Sequence, residues 1–183
     1  GLLNAVLAPA AIILSLQSPL MPMQVIPAAV SRGTISQPFI VALMAEAARI
    51  SPEDTVLEIG TGSGYGAAVL SHLAREVHTV ERIPELAESA SVHLQGYLNV
   101  EVHTGDGALG WAAAAPYDAI VVTAAAETVP SKLAEQLADG ARLVIPVGEH
   151  ARTQKLLRIE RHGAELTTTD LGAVAFVPLI SDT

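Results

Sequence analysis

Residues 57–66, with the sequence LEIGTGSGYG, decide the fold of this chain. Glycine occupies every second position from 60 to 66, directly after residues 55–59, an apolar segment with the length of a buried strand. A strand that ends in glycines and runs into a helix exposes backbone N–H groups to a ligand, as in sites for adenosine-containing cofactors. Glu81 follows at the end of the next predicted strand, where a carboxylate is able to accept hydrogen bonds from both ribose hydroxyls.

Other glycine-rich motifs do not match this loop. The dinucleotide pattern G-x-G-x-x-G requires glycine at position 65, where the chain has Tyr65. A P-loop requires G-K-[ST], and no lysine lies nearby. The hydrolase pattern G-x-S-x-G is not formed, because Ser63 is flanked directly by glycines. The pattern E-x-G-x-G-x-G, which begins at Glu58, instead resembles the first motif of class I S-adenosylmethionine methyltransferases.

Apolar strand-like segments alternate with helical segments along most of the chain. The alternation predicts a doubly wound, mostly parallel, Rossmann-like α/β sheet. Two β-like segments around the turn at His162-Gly163 predict an antiparallel strand pair near the C-terminus, and Gly140 is expected to cap the last helix. The predicted strands are 55–59, 77–80, 100–103, 119–123, 143–147, 155–161 and 173–179, and the predicted helices are 38–49, 65–75, 84–98 and 130–137.

Composition excludes several classes of function. Hydrophobic residues make up 50% of the 183 residues and charged residues 16%, which is typical of one folded domain. The net charge is −9, and no basic stripe of the kind that nucleic acid requires is visible. Cysteine is absent, which excludes disulfides, thiolate catalysis and cysteine metal sites. The histidines lack H-x-H and H-E-x-x-H spacing, so no metal site is predicted.

Residues 1–31 contain no charged side chain and differ from the rest of the chain. No basic residue precedes their apolar run, as it would in a secretory signal. Prolines interrupt the run before it reaches the ~20 apolar residues of a membrane span. Three interpretations remain open: a segment packed on the core or on a partner, a trimmed or altered terminus, and a membrane or export segment. We therefore set residues 1–33 apart from a predicted domain at 34–183.

Seven segments, in order, resemble the protein-L-isoaspartate O-methyltransferase family. The combination of T-I-S-Q-P, G-D-G-x-x-G-W and a terminal F-V-P-L is more specific than the glycine loop alone. The segments are TISQPFIVALM (34–44), VLEIGTGSGYG (56–66), VERI (80–83), GDGALGW (105–111), PYDAIVVTAA (116–125), LVIPVG (143–148) and FVPL (176–179).

The resemblance implies a repair enzyme that uses S-adenosylmethionine to methylate the free carboxylate of L-isoaspartyl residues in damaged proteins and peptides. The methyl ester then closes to a succinimide. By matching motifs, Ser36 takes the position of the family's active-site serine, while Glu81 would hold the ribose and Asp106 the adenine amino group. The full set of cofactor-binding residues expected from the motifs is Thr34, Ile35, Gln37, Glu58, Gly60, Gly62, Ser63, Glu81, Arg82, Asp106 and Gly107.

The front end of the chain departs from the family pattern. Members carry a D-x-P-L-P-I-G loop before G-Q-T-I-S-Q-P, whereas residues 22–38 read PMQVIPAAVSRGTISQP. The alternatives are therefore a divergent carboxylate methyltransferase with another peptide substrate, and a cofactor-binding relative that acts as an interaction protein. We expect a cytoplasmic protein with no nucleic-acid partner and no membrane association. The sequence does not determine the oligomeric state, for which a monomer is the working expectation.

Overall fold

A computed structural model describes residues 38–149 and 153–182 of the chain. These residues form one seven-stranded sheet with the strand order β3-β2-β1-β4-β5-β6-β7. Neighbouring strands among β1 to β5 pair in parallel, and β6 pairs antiparallel with both β5 and β7. The strands are β1 (Thr55–Ile59), β2 (Glu76–Glu81), β3 (Val100–Thr104), β4 (Tyr117–Val122), β5 (Leu137–Val147), β6 (Gln154–His162) and β7 (Glu165–Val174). The helices are α1 (Pro38–Ala48), α2 (Tyr65–Ser71), α3 (Pro84–His93) and α4 (Ser131–Glu135), with 3-10 turns at Gly107–Leu109 and Ala112–Ala114.

The core lies on both faces of the sheet, because successive strand residues point to opposite sides. On one face α1, α2 and α3 contribute Met44, Leu70 and Ala90 to a buried cluster. On the other face Leu133 of α4 packs with Tyr117 in a second cluster. The predicted doubly wound sheet with an antiparallel C-terminal pair is confirmed. Within the described residues, no helix has both the length and the apolar character needed to cross a membrane.

Two predicted helices are shorter than expected. Helix α2 ends at Ser71 rather than at position 75, and α3 ends at His93 rather than at position 98. Asn99 explains the first end, since its side-chain amide donates to the carbonyl oxygens of Ser71 and Ala74, at 2.8 and 3.2 Å. Beyond His93 the chain reaches Gly96, a residue that disfavours helix.

The predictions around Gly140 and for residues 173–179 were wrong. Helix α4 stops at Glu135, and Gly140 lies inside β5 with φ +76°, not at a helix end. The pairing of β5 with β4 changes register between Tyr117 and Ala119. Gly140 lies in the part of β5 where the strand is irregular, and its positive φ fits that irregularity. The last strand, β7, is a mostly exposed edge strand rich in threonine. The apolar run at 173–179 mostly follows that strand and makes only an isolated bridge through Pro178, which has no N–H to donate.

The buried hydroxyl of Tyr117 allows a test of one hydrogen bond in the core. The ring is fully buried, and its hydroxyl donates to the carbonyl oxygen of Trp111 over 2.6 Å. Tyr117→Phe should lower the free energy of unfolding by roughly 1 kcal/mol, because one buried hydrogen bond is lost. Chemical denaturation would measure this, with Tyr97→Phe as the control on a partly buried ring. Equal losses in both variants would contradict the assignment.

Candidate functional site

A cleft opens at the carboxyl ends of β1, β2 and β4. From β1 the chain first builds the sheet on one side, through β2 and β3, and then on the other side, through β4 and β5. Ligands of open α/β sheets bind where the strand order reverses in this way. The cleft has a volume of about 260 Å³. It is lined by Val41, Glu58–Ser63, Tyr65, Gly66, Val80–Ile83, Leu86, Gly107, Thr123, Ala124 and residues 177–180.

The loop after β1 follows a path that only glycine accommodates easily. Gly60, Gly62 and Gly64 have φ values of +96°, +53° and +86°, in the left-handed region. A Cβ atom at Gly60 would lie 2.5 Å from the hydroxyl oxygen of Thr123. That hydroxyl lies 2.8 Å from the Gly60 carbonyl oxygen, to which it donates, so the residue directly after β4 holds the loop. A side chain at position 60 would therefore displace the floor of the cleft.

Glu81 ends β2 with its carboxylate fixed at the cleft. One oxygen accepts from the backbone N–H of Gly62 at 2.9 Å, and the other from that of Ile83 at 3.0 Å. The residue is 8% exposed, so the glycine loop and the start of α3 both position it. Each oxygen keeps acceptor capacity for a further hydrogen bond. A diol with two neighbouring hydroxyls matches this pair of acceptors.

Glu58 is buried beneath the glycine loop. Its carboxyl accepts from the Thr79 hydroxyl at 2.6 Å, and that hydroxyl lies 2.6 Å from the hydroxyl of Thr61. A Cβ atom at Gly66 would run into Glu58 Oε1, so α2 passes directly over the carboxyl. Burial raises the pKa of Glu58 to about 8; the hydrogen bond from Thr79 opposes this shift and the charge of Glu81 adds to it. Glu58 is therefore protonated at neutral pH.

Asp106 flanks the cleft and is already engaged by neighbouring groups. Its carboxylate accepts from the Ala108 N–H at 3.0 Å, the Ser181 hydroxyl at 2.9 Å and the Asp182 N–H at 3.0 Å. The guanidinium of Arg82 lies 3.4 Å away and bonds Asp182 at 2.6 Å. Partial burial opposes ionisation, but the N–H groups of Asp182 and Ala108, the Ser181 hydroxyl and Arg82 together lower the pKa of Asp106. Asp106 is thus an anion linked to the C-terminal segment.

Residues 177–180 form one wall of the cleft. The Ala125 N–H donates to the Val177 carbonyl at 2.8 Å, and the Leu179 N–H donates to the Ala125 carbonyl at 2.7 Å. Upstream, the side chain of Gln154 accepts from the Phe176 N–H at 2.6 Å and donates to its carbonyl at 3.1 Å. Strand β6 and the loop after β4 therefore hold this wall in place.

The structure brings most of the predicted site residues together. Seven of them line the cleft, and Asp106 stands beside Gly107 at its edge. The predictions for Thr34, Ile35, Ser36 and Gln37 lie outside the described residues. The residues lining the cleft are Glu58, Gly60, Gly62, Ser63, Glu81, Arg82 and Gly107.

Sequence reasoning missed two apolar parts of the site. Ile83 and Leu86, at the start of α3, line the cleft next to Glu81. Apolar residues two and five positions after a strand-terminal acid are the signal that points to them. The wall at 177–180 was missed as well, although it overlaps the F-V-P-L segment.

Comparison with protein families matches residues 17–183 to the model described as protein-L-isoaspartate(D-aspartate) O-methyltransferase. A protein-L-isoaspartate O-methyltransferase of Protochlamydia amoebophila is 54% identical over 158 residues, which are 84% of this chain and 75% of that protein. The protein-L-isoaspartate O-methyltransferase 2 of Pelobacter propionicus is 56% identical over 150 residues, 80% of this chain and 67% of that protein.

Solved structures show the same similarity. One structure of a protein-L-isoaspartate O-methyltransferase superposes with a TM-score of 0.77 at 30% identity, covering 82% of this chain and 49% of that chain. This chain thus spans about half of that protein's length. A Plasmodium falciparum protein assigned the same activity was solved in complex with S-adenosyl-L-homocysteine. It superposes with a TM-score of 0.69 at 25% identity, covering 84% of this chain and 79% of that chain.

Proposed function

Because this chain belongs to the protein-L-isoaspartate(D-aspartate) O-methyltransferase family, we propose that its cleft serves methyl transfer to damaged proteins. The chain is an S-adenosylmethionine-dependent protein carboxyl O-methyltransferase. Its substrate is the free carboxylate of L-isoaspartyl residues in proteins and peptides. The methyl ester that it makes closes to a succinimide, from which hydrolysis returns some normal aspartate.

The single observation that supports this function best is the placement of Glu81 against the glycine loop. Its two oxygens face the cleft from a fixed position, as recognition of a ribose requires. Ile83 and Leu86 offer an apolar surface beside it, suited to a base or to the methylene groups of the cofactor. Gly60 lets Thr123 pack directly against the loop, which keeps the floor of the cleft in place. The residues present therefore fit S-adenosylmethionine.

The chemistry demands little of the protein beyond positioning. When bound, S-adenosylmethionine supplies an activated methyl group on a positively charged sulfur. A substrate carboxylate with a pKa of ~4 is ionised at neutral pH, so no side chain has to remove a proton. Holding the two reactants in line contributes ~7–11 kcal/mol to lowering the barrier. An apolar wall at 177–180 helps to exclude water from the reacting atoms.

The roles of individual residues are part of the proposal. Glu81 binds the ribose, Gly60, Gly62 and Ser63 hold the methionine end, and Asp106 with Gly107 meets the adenine. Glu58 supports the loop from below as a neutral acid. Ser36 donates a hydrogen bond to the substrate carboxylate from a pocket that Thr34, Ile35 and Gln37 share. Arg82 joins Asp106 to the C-terminal segment.

The proposal extends to the organisation and setting of the chain. Residues 34–183 form the catalytic domain, and residues 1–33 are a separate segment. The working place is the cytoplasm, and the working unit is a monomer. Sedimentation of the full chain tests the monomer, and cell fractionation tests the location.

Methyl transfer to a matched pair of peptides tests the function. One peptide carries L-isoaspartate and the other normal aspartate at the same site, and labelled S-adenosylmethionine reports transfer. We expect transfer to the isoaspartyl peptide alone. Calorimetry on the same sample measures cofactor binding. Binding without transfer to either peptide would refute the repair function and favour an interaction protein, whereas equal transfer to both would indicate a broader carboxylate methyltransferase.

A further inference from the structure

A cluster of two histidines and two acids lies on β2 and the edge strand β3, on the sheet face opposite to α2 and α3. His78 and Glu101 are register partners, and His103 stands two residues further along β3. Side chains two residues apart on a strand share a face, so all three point the same way. The role proposed above for the cofactor cleft does not use any of them.

The ligand-type atoms of this cluster converge. His78 Nδ1 lies 3.1 Å from His103 Nε2, and Glu101 Oε2 lies 3.6 Å from the first nitrogen and 3.8 Å from the second. Ligand atoms bound at about 2.0–2.2 Å in a tetrahedral arrangement lie roughly 3.3–3.5 Å apart. The three separations bracket that value. A hydrogen bond between the two rings accounts for the shortest distance, but not for the approach of the carboxylate to both nitrogens.

Neighbouring side chains hold the two imidazoles in this orientation. The other ring nitrogen of His78, Nε2, lies 3.5 Å from Glu76 Oε1. An acid at the second nitrogen is the usual partner of a metal-binding histidine, because it keeps the proton there and leaves Nδ1 free to coordinate. The His103 ring stacks on Trp111, with centroids 4.1 Å apart and an interplanar angle of 14°. The His78 side chain is buried, at 6% exposure, and the His103 side chain is partly buried, at 13%.

Charge and access also suit a cation. With neutral imidazoles, Glu76 and Glu101 give the cluster two negative charges, which one divalent ion balances. Glu101 is 63% exposed, so solvent reaches the open side and is available to fill a fourth position. Two nitrogens and one carboxylate oxygen form a ligand set for Zn²⁺ and similar transition metals, and not for the oxygen-preferring Mg²⁺.

We propose that His78, Glu101 and His103 bind one divalent transition-metal ion, with Zn²⁺ as the fitting ion, and so clamp edge strand β3 to β2. The clamp lies three residues before Glu81 on one strand and three residues before Asp106 on the other. Bound metal therefore stabilises the ends of both strands at the cofactor cleft. Spacing along a single segment does not reveal this site, because its ligands come from two strands that pair only in the fold.

Metal titration of the full chain, prepared without a histidine tag and stripped with a chelator, tests the proposal. Co²⁺ is added while visible absorption is followed, and Zn²⁺ then displaces it; competition with a chromophoric chelator gives the stoichiometry and the affinity. The variants are Glu101→Gln and His103→Gln, with His162→Gln at the exposed end of β6 as the matched control. Glu101 is exposed enough for its variant to fold, and circular dichroism checks the other.

We expect one ion per chain in the wild type and in His162→Gln, and at least about tenfold weaker binding in Glu101→Gln and His103→Gln. At one fixed Zn²⁺ concentration, the melting temperature should rise more in the wild type and in His162→Gln than in the other two variants. Mg²⁺ should change neither the metal occupancy nor the melting temperature. Equal Zn²⁺ affinity in all four proteins, or no saturable binding by the wild type, would overturn the site. Because no readout depends on cofactor or on methyl transfer, this result is independent of the proposed function.

Discussion

Replacing Glu58 with glutamine is expected to remove a large pH dependence of stability from the cofactor-free protein. The carboxyl is buried, and its pKa of about 8 in the folded chain compares with an ordinary value of 4.5. Between these values the unfolded chain releases the proton while the folded chain keeps it. The unfolded state therefore binds fewer protons, and the free energy of unfolding falls as pH rises. Between pH 4.5 and pH 8, this one group is expected to lower the free energy of unfolding by up to about 5 kcal/mol.

Glutamine is the matched substitution because it resembles the protonated acid. Its carbonyl oxygen keeps the acceptor for the Thr79 hydroxyl. Glu58→Gln should therefore be close to the wild type near pH 5 and more stable than the wild type near pH 8. Denaturant unfolding over this range measures both, with Glu53→Gln as the control at an exposed position. Parallel curves for the wild type and Glu58→Gln would contradict a buried neutral acid at position 58.

Replacing Glu81 with alanine is expected to weaken S-adenosylmethionine binding by ~1–3 kcal/mol, the cost of losing a charge-assisted hydrogen bond. This corresponds to a dissociation constant roughly 5- to 150-fold higher. The carboxylate contributes in two ways, since it faces the cleft and also accepts from the N–H groups of Gly62 and Ile83. Alanine removes both contributions, while Glu81→Gln keeps one acceptor oxygen and should fall between alanine and the wild type.

Titration calorimetry with the cofactor measures this effect. Glu85→Ala is the control, because Glu85 lies one turn away at the exposed start of α3 and carries the same charge. Its affinity should match that of the wild type, which separates the contact at Glu81 from a general change in surface charge. Equal weakening in the Glu81 and Glu85 variants would remove Glu81 from the ribose site.

The sequence predicted the parts of the site that depend on local pattern. Strand β1 was predicted with its observed bounds, because a short apolar run between a turn and a glycine is typical of a buried strand. The position of Glu81 beside the loop followed from parallel pairing, since parallel strands bring their carboxyl ends to one edge. Both predictions rest on short stretches of chain in which pattern and structure agree.

The sequence failed where distant segments meet. Apolar composition at 173–179 predicted a strand, but those side chains are largely recruited to a cleft wall and to packing, while the threonine-rich β7 pairs at the edge. Gly140 was predicted to end a helix, but it lies in β5, in the stretch where the pairing with β4 changes register. The contacts between His78 and His103 exist only because β2 and β3 are neighbours. The periodicity of apolar residues along the chain does not show which strands become neighbours in the sheet.

The wall at 177–180 has a consequence for biosynthesis. It closes a cleft whose floor is made by residues 58–66, more than a hundred positions earlier in the chain. A chain emerging from the ribosome therefore lacks a complete cofactor cleft until residues 177–180 have been added, even if the parallel strands have already paired. Closing so long a loop is also slow compared with local folding. Ligand binding thus requires synthesis to have passed residue 180, and a shorter nascent chain is not expected to bind the cofactor.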